Sequence, residues 1–220
     1  MSHRTDGQSW GRTPPGVGQR LVGIHNRASP FPEFEGTALP YGNGRSYGDS
    51  ALNPGGTLLM TRMLDRFIHF DPATGVLRCE AGTTLAEVIA LALPQGWFLP
   101  VTPGTRYVTV GGAIANDVHG KNHHLTGCFG HCVRALELLR SDGQRLLLQA
   151  NAPDAQAMLA ATIGGLGLTG LITWAEFQLR RVPGPWLQTE SIRVGSLDEF
   201  FHLSRQSADC FEYTVAWIDC

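Results

Sequence analysis

Residues 99–143 read LPVTPGTRYVTVGGAIANDVHGKNHHLTGCFGHCVRALELLRSDG, and this stretch decides the fold. Its first half carries glycines at Gly104, Gly111 and Gly112 and then a dense polar block, His119-Gly120-Lys121-Asn122-His123-His124. Its second half, Val133 to Arg140, is apolar and β-prone and ends on Ser141-Asp142-Gly143-Gln144. Asp-Gly supplies the positive φ of a tight turn, and Arg145 to Gln149 returns as a second apolar run, so the spacing predicts a β-hairpin.

Working outward, the chain shows short strands with tight turns. Thr57 to Thr61, Phe67 to Phe70 and Val76 to Ala81 read as strands, the last two joined by Asp71-Pro72-Ala73-Thr74-Gly75. Thr84-Leu85-Ala86-Glu87 has the form of a capping box, opening a helix that Pro94 and Gly96 end. Asn151 and Pro153 open a helix over 154–161, and Leu171 to Arg181 reads as a further strand. Pro183-Gly184-Pro185 is a linker, followed by an expected strand over 187–194, a helix capped at Ser196, and a strand over 211–218. The pattern is that of an α+β fold. Three segments are expected: an irregular N-terminal arm over 1–36 with at most short ordered pieces, a main domain over 37–183, and the beginning of a second domain over 184–220.

With 220 residues, 43% of them hydrophobic, the chain can bury a sizeable core. Its net charge of −2 leaves no basic excess for phosphate backbones, so nucleic-acid binding is not expected. The longest apolar run, Val88 to Pro94, is far shorter than the ~18–20 residues of a membrane span, so no transmembrane segment is expected. The first residues lack an apolar stretch, and five cysteines form an odd, scattered set, which points to reduced thiols in the cytoplasm.

Of the twenty-seven glycines, ten fall in three loops: Gly42 to Asp49, Pro103-Gly104 through Ala115, and Gly164 to Gly170. Such loops bring backbone N–H groups close to an anion, and a helix opening at Gly112 would add its positive end, so a pyrophosphate fits them. Turn-making alone is the other reading of each loop. Gly165-Leu166-Gly167-Leu168-Thr169-Gly170 matches a dinucleotide fingerprint, but it follows a helix and precedes a strand, the reverse of the required order. Lys121, the only lysine, is followed by Asn122, so no P-loop exists. Four of eight histidines fall between His119 and His131, beside Cys128 and Cys132. Their spacing fits no zinc finger or ribbon, and three readings of the cluster stand: a metal site, an organic-cofactor site, and a solvated loop.

GNGRSYGDSALN from Gly42, the 99–143 stretch, TIGGLGLTGLITWAEFQL from Thr162 and FEYTVAWID from Phe211 together resemble the vanillyl-alcohol-oxidase (PCMH) type FAD-binding flavoproteins over residues 37–220. The resemblance implies a two-subdomain FAD-binding domain followed by the start of a substrate domain. It implies that Gly42, Asn43, Gly44, Arg45, Ser46, Tyr47 and Gly48, with Gly104, Thr109, Val110, Gly111 and Gly112, hold the pyrophosphate and ribityl chain. Asn116, Asp117 and His119 would lie along the flavin, and Ile172 near the adenine or ribityl end. Lys121 and His119 are the implied catalytic residues, and no metal is implied. The family reaction oxidises a sugar carbinol to a ketone by hydride transfer to flavin N5. The implied partners are a small-molecule or lipid-linked sugar and a partner reductase. Many relatives attach the flavin to a histidine in the first loop. Arg45 and its neighbours stand there, so non-covalent FAD is expected. The family draws further active-site residues from a longer C-terminal half, so the resemblance implies a fragment.

Overall fold

A computed structural model describes residues 6–218, so the expectation of a reduced thiol at Cys220 lies outside the described residues. Three strands near the N-terminus, β1 (Arg20–Gly23), β2 (Ala38–Tyr41) and β3 (Thr57–Met60), form a parallel sheet with β3 in the middle. Thr57 faces Arg20 on one side and Ala38 on the other. The larger sheet is antiparallel in the order β4 (Phe67–Asp71), β5 (Val76–Glu80), β9 (Leu171–Gln178), β7 (Val133–Leu139), β8 (Arg145–Gln149). A two-stranded ribbon pairs β6 (Trp97–Phe98) with β10 (Arg180–Arg181). The helices are α1 (Leu85–Ala92), α2 (Val110–Ala115), α3 (His123–Thr126), α4 (Gln156–Thr162) and α5 (Leu197–Ser207). The architecture is α+β.

Local chemistry explains most of these elements. At the β4–β5 turn, Asp71 accepts from the Ala73 amide and the Thr74 hydroxyl, and the Gly75 amide closes on the Asp71 carbonyl at 2.8 Å. Gly75 has φ +74°, and a Cβ there would lie 2.2 Å from the Trp97 ring, so glycine is required twice over. The capping box forms as read: the Thr84 hydroxyl accepts from the Glu87 amide, and the Glu87 carboxylate accepts from the Thr84 amide at 2.7 Å. Burial alone would push the Glu87 carboxyl up, yet the Thr84 amide and hydroxyl and the Arg62 guanidinium hold it below its ordinary value. In the hairpin, Leu139 faces Arg145 and Ala135 faces Gln149, with Gly143 at φ +84°. In β9, Ala175 and Phe177 are buried while Trp174, Glu176 and Gln178 are half-buried, the alternation of a sheet with one face in the core.

The main core lies between the five-stranded sheet and the helices α1 and α2, with Leu77, Leu85, Val110, Ile114, Leu136 and Phe177 fully buried. A second cluster, Ile24, Leu59, Leu64, Leu139 and Leu171, joins the two sheets. Their junction leaves room on one side, and the site lies there.

The arm over 1–36 contains one short ordered piece, β1, and its Ile24 enters the core. Four expectations are corrected. The helix expected over 154–161 runs Gln156–Thr162, and the one expected to open at Gly112 opens at Val110 behind the Thr109 cap. No strand forms over 187–194 or 211–218 among the described residues, whose apolar side chains Leu187, Ile192, Val215 and Trp217 stay exposed. A strand needs a neighbouring edge as well as β-prone residues, and among the described residues neither segment pairs with one.

Candidate functional site

A cleft of about 770 Å³ opens at the junction of the two sheets, and all three glycine loops contribute to its wall. The first loop leaves β2 at Gly42. A Cβ on Gly42 would lie 2.4 Å from the Thr109 hydroxyl, so its absence allows the first loop to close on the second. Gly44 has φ +58°, and a Cβ there would lie 2.1 Å from the Tyr41 hydroxyl. The Asn43 side-chain Nδ2 donates to the Tyr107 carbonyl at 2.7 Å, tying the two loops together, and the Arg45 guanidinium donates to the Asn43 backbone carbonyl at 2.7 Å. Ser46 lines the cleft, Tyr47 stands 76% exposed at its lip, and Gly48 lies outside the wall.

The second loop is built differently from a helix-end anion site. Val110 donates to the Thr83 carbonyl, Gly111 to the Ala81 carbonyl and Gly112 to the Thr109 hydroxyl, so the first amides of α2 are already used inside the chain. What this loop gives the cleft is space: Gly104 has nothing within 4 Å of its missing Cβ, and a Cβ on Gly111 would lie 3.0 Å from that of Ala81. Amides without a hydrogen bond to any described residue occur instead in the first loop, at Ser46 and Tyr47. The third loop hangs on the end of α2, with Gly164 donating to the Ile114 carbonyl and Leu166 to the Ala115 carbonyl. It brings Leu166, Gly167, Gly170 and Ile172 to the wall.

Of the residues singled out in the sequence, the cleft brings together Gly42, Asn43, Gly44, Arg45, Ser46, Tyr47, Gly104, Thr109, Gly111, Gly112, Asn116, His119 and Ile172. Gly48, Val110, Asp117 and Lys121 are not on its wall. Val110 is buried in the core, and the Asp117 carboxylate accepts from the Gly130 amide at 2.7 Å, holding the 3-10 turn Phe129–Cys132. Lys121 is exposed, and its carbonyl accepts from the Thr214 amide. His119 is exposed on the wall, with its ring 5.6 Å from that of His123. Behind it Asn122 is fully buried and donates to the Pro100 carbonyl at 2.9 Å, which fixes the turn that carries Lys121. No three His, Cys, Asp or Glu side chains come together to hold a metal ion among the described residues. Burial raises the Cys128 thiol, helped by Asp117, and pushes Cys132 to about 12, so neither is an available thiolate.

Sequence reasoning missed Trp10, Tyr107 and Leu166, all on the wall. Trp10 had a signal: a large aromatic in a polar, proline-broken arm calls for a surface to cover it. Among the described residues lining the cleft, Arg45 is the one permanent charge, and no carboxylate is present. A glycine-walled cleft of this size, with one cation and unpaired amides, suits a large organic ligand carrying a diphosphate.

Comparison with known proteins agrees with that composition. Residues 32–149 match the model of the FAD binding domain. The chain is 40% identical to a decaprenylphosphoryl-β-D-ribose oxidase of Mycolicibacterium smegmatis, over 96% of this chain and 47% of that protein. It is 26% identical to a D-lactate dehydrogenase of Anaerostipes hadrus, over 73% of this chain and 36% of the relative. A human Δ(24)-sterol reductase is 28% identical over 55% of this chain and 23% of its own length. The chain thus spans about half the length, or less, of these curated relatives. The FAD binding domain match covers more than half of the 220 residues, and the chain belongs to that family of flavoproteins.

Proposed function

We propose that the cleft holds FAD without a covalent bond, and that the chain is the flavin-binding part of an oxidoreductase that converts a sugar or polyol hydroxyl to a ketone. The observation that carries this reading is the convergence of three glycine loops on one wall that, among the described residues, bears Arg45 and no carboxylate. Arg45 and the Ser46 and Tyr47 amides meet the diphosphate, while Gly42, Gly44, Gly104, Gly111 and Gly112 leave the room it needs. Asn43, Thr109 and Val110 brace the loops, Asn116 and His119 flank the ring system, and Ile172 packs at the far end. Asp117 acts through the Gly130 amide, and Gly48 through the turn that follows the first loop. No histidine lies in the first loop, which supports extractable FAD.

The flavin supplies a hydride acceptor. The carbinol proton needs a base, and an imidazole nitrogen of His119, exposed on the wall, is the group there that can take it. Lys121, two residues on and facing solvent, offers an ammonium to offset negative charge on the substrate oxygen. Identity to a decaprenylphosphoryl-β-D-ribose oxidase favours a lipid-linked sugar over a free one, and a partner reductase would return the electrons to an acceptor. No helix among the described residues is long and apolar enough to cross a membrane. Four free cysteines, Cys79, Cys128, Cys132 and Cys210, support a cytoplasmic setting. The same reading divides the chain into an arm over 1–36, an FAD-binding domain over 37–183 and the start of a substrate domain over 184–220; the family match over residues 32–149 supports the FAD-binding unit alone.

Anaerobic mixing of the flavin-loaded chain, extended to the full length of its relatives, with a polyprenylphosphoryl pentose tests the reading. The flavin band should bleach, and Lys121→Met should slow bleaching by about 10- to 1000-fold while flavin stays bound. A loaded chain that neither this compound nor free pentoses reduce would instead be a non-catalytic flavin-binding module.

A further inference from the structure

One described residue of the cleft wall, Trp10, precedes position 32, where the FAD binding domain match begins. Trp10 lines the cleft, its amide donates to the Ser46 carbonyl at 2.8 Å, and the Arg45 guanidinium sits over its ring, 5.1 Å from the centroid. The segment that carries it is fastened at several points. The Tyr41 hydroxyl donates to the Gln8 carbonyl at 2.6 Å, the Gly16 amide donates to the Gln8 side chain, and the Gln19 side chain donates to the Gly7 carbonyl at 2.9 Å. The Asn53 amide in turn donates to the Gln19 side chain at 2.6 Å, so both ends of the segment are tied to the parallel sheet. Ser9 is fully buried beneath it.

We infer that residues 6–19 form a strap that completes the cofactor site, and that Trp10 is a positioning residue which holds the Arg45 cation against the diphosphate. The inference rests on the proposed reading that FAD occupies this cleft. The geometry supplies the reason. An arginine on an open glycine loop samples many rotamers, whereas a planar guanidinium laid on an indole and hydrogen-bonded to the Asn43 carbonyl is fixed before the anion arrives. With no other permanent charge among the described residues of the wall, the orientation of Arg45 decides how strongly the cleft attracts a phosphate ligand.

The test is a double-mutant cycle on the whole flavin-stripped chain, with FAD and riboflavin, which has no phosphate, as probes. Trp10→Ala should weaken FAD binding by about 3- to 30-fold, the range of a partly desolvated cation–π contact. In an Arg45→Ala background the same change should cost less than about 2-fold, because its effect passes through Arg45. Trp10→Phe should restore most of the affinity, and riboflavin binding should not respond to any of these changes. Arg45→Lys leaves the strap intact and does not depend on the folding of Trp10→Ala. It should weaken FAD and spare riboflavin. Additive losses in the cycle, equal losses for riboflavin and FAD, or wild-type FAD affinity in Arg45→Lys would each overturn the inference. A wild-type chain that binds no FAD at all would overturn the proposed function itself.

Discussion

Replacing Gly44 with alanine tests whether the first loop is as tightly built as the structure shows, and Gly48 provides an internal control. Both glycines are left-handed, with φ +58° and +60°, so both substitutions carry the conformational cost of alanine in that region, about 1–2 kcal/mol. Their surroundings differ. A Cβ on Gly48 meets nothing within 4 Å, whereas one on Gly44 would lie 2.1 Å from the Tyr41 hydroxyl and 2.7 Å from the Gln8 carbonyl. Tyr41 is 1% exposed and cannot turn away without giving up its hydrogen bond to that carbonyl. Overpacking of this kind costs about 1–3 kcal/mol, and a lost hydrogen bond adds about 1 kcal/mol. Gly44→Ala should therefore be less stable than Gly48→Ala by about 2–4 kcal/mol in urea unfolding. In a domain of this size that difference lowers the melting temperature by a further ~4–16 °C. Equal stabilities for the two variants would refute the steric argument, since the shared φ cost cancels between them.

Other outcomes follow from local chemistry. The Glu87 carboxyl is held below its ordinary value of 4.5 in the fold, so its contribution is present above that pH and is lost as pH falls through the lower, folded value. Glu87→Gln should cost about 1 kcal/mol or less at neutral pH, because the group is partly exposed, and acid unfolding curves should show the gap closing below 4.5. Burial holds the Cys79 and Cys132 thiols near 12, so mass spectrometry after iodoacetamide treatment at pH 8 should find Cys210 alkylated and those two intact. Thr84→Ala removes the α1 cap and should cost about 1 kcal/mol in thermal unfolding.

What could be read from the sequence was what short-range chemistry decides. The capping box at Thr84, the Asp-Gly hairpin and the glycine loops each declare themselves within a few residues, and the structure forms all of them. Readings that depended on a distant partner failed. β1 is the four-residue segment RLVG, weak as a strand by itself, and it is a strand because β3, thirty-seven positions on, offers an edge. Conversely, 187–194 and 211–218 have β-prone residues but pair with no edge among the described residues. Within the site, the direction of the second loop's amides was not legible, because their acceptors, Ala81 and Thr83, come from the loop that follows β5. Trp10 was hidden by its polar neighbours, although its ring helps to form the cleft wall.

The central claim is that FAD binds, without a covalent bond, in the cleft formed by the glycine loops, and a titration of flavin-stripped protein tests it most directly. Wild type should take up one FAD per chain and release it on acid precipitation. Gly42→Val, whose side chain would enter the space now shared with the Thr109 hydroxyl, should lose at least about 10-fold in FAD affinity while its circular dichroism stays native. Flavin that remains with the precipitated protein, or a folded Gly42→Val variant that binds FAD as wild type does, would contradict the account.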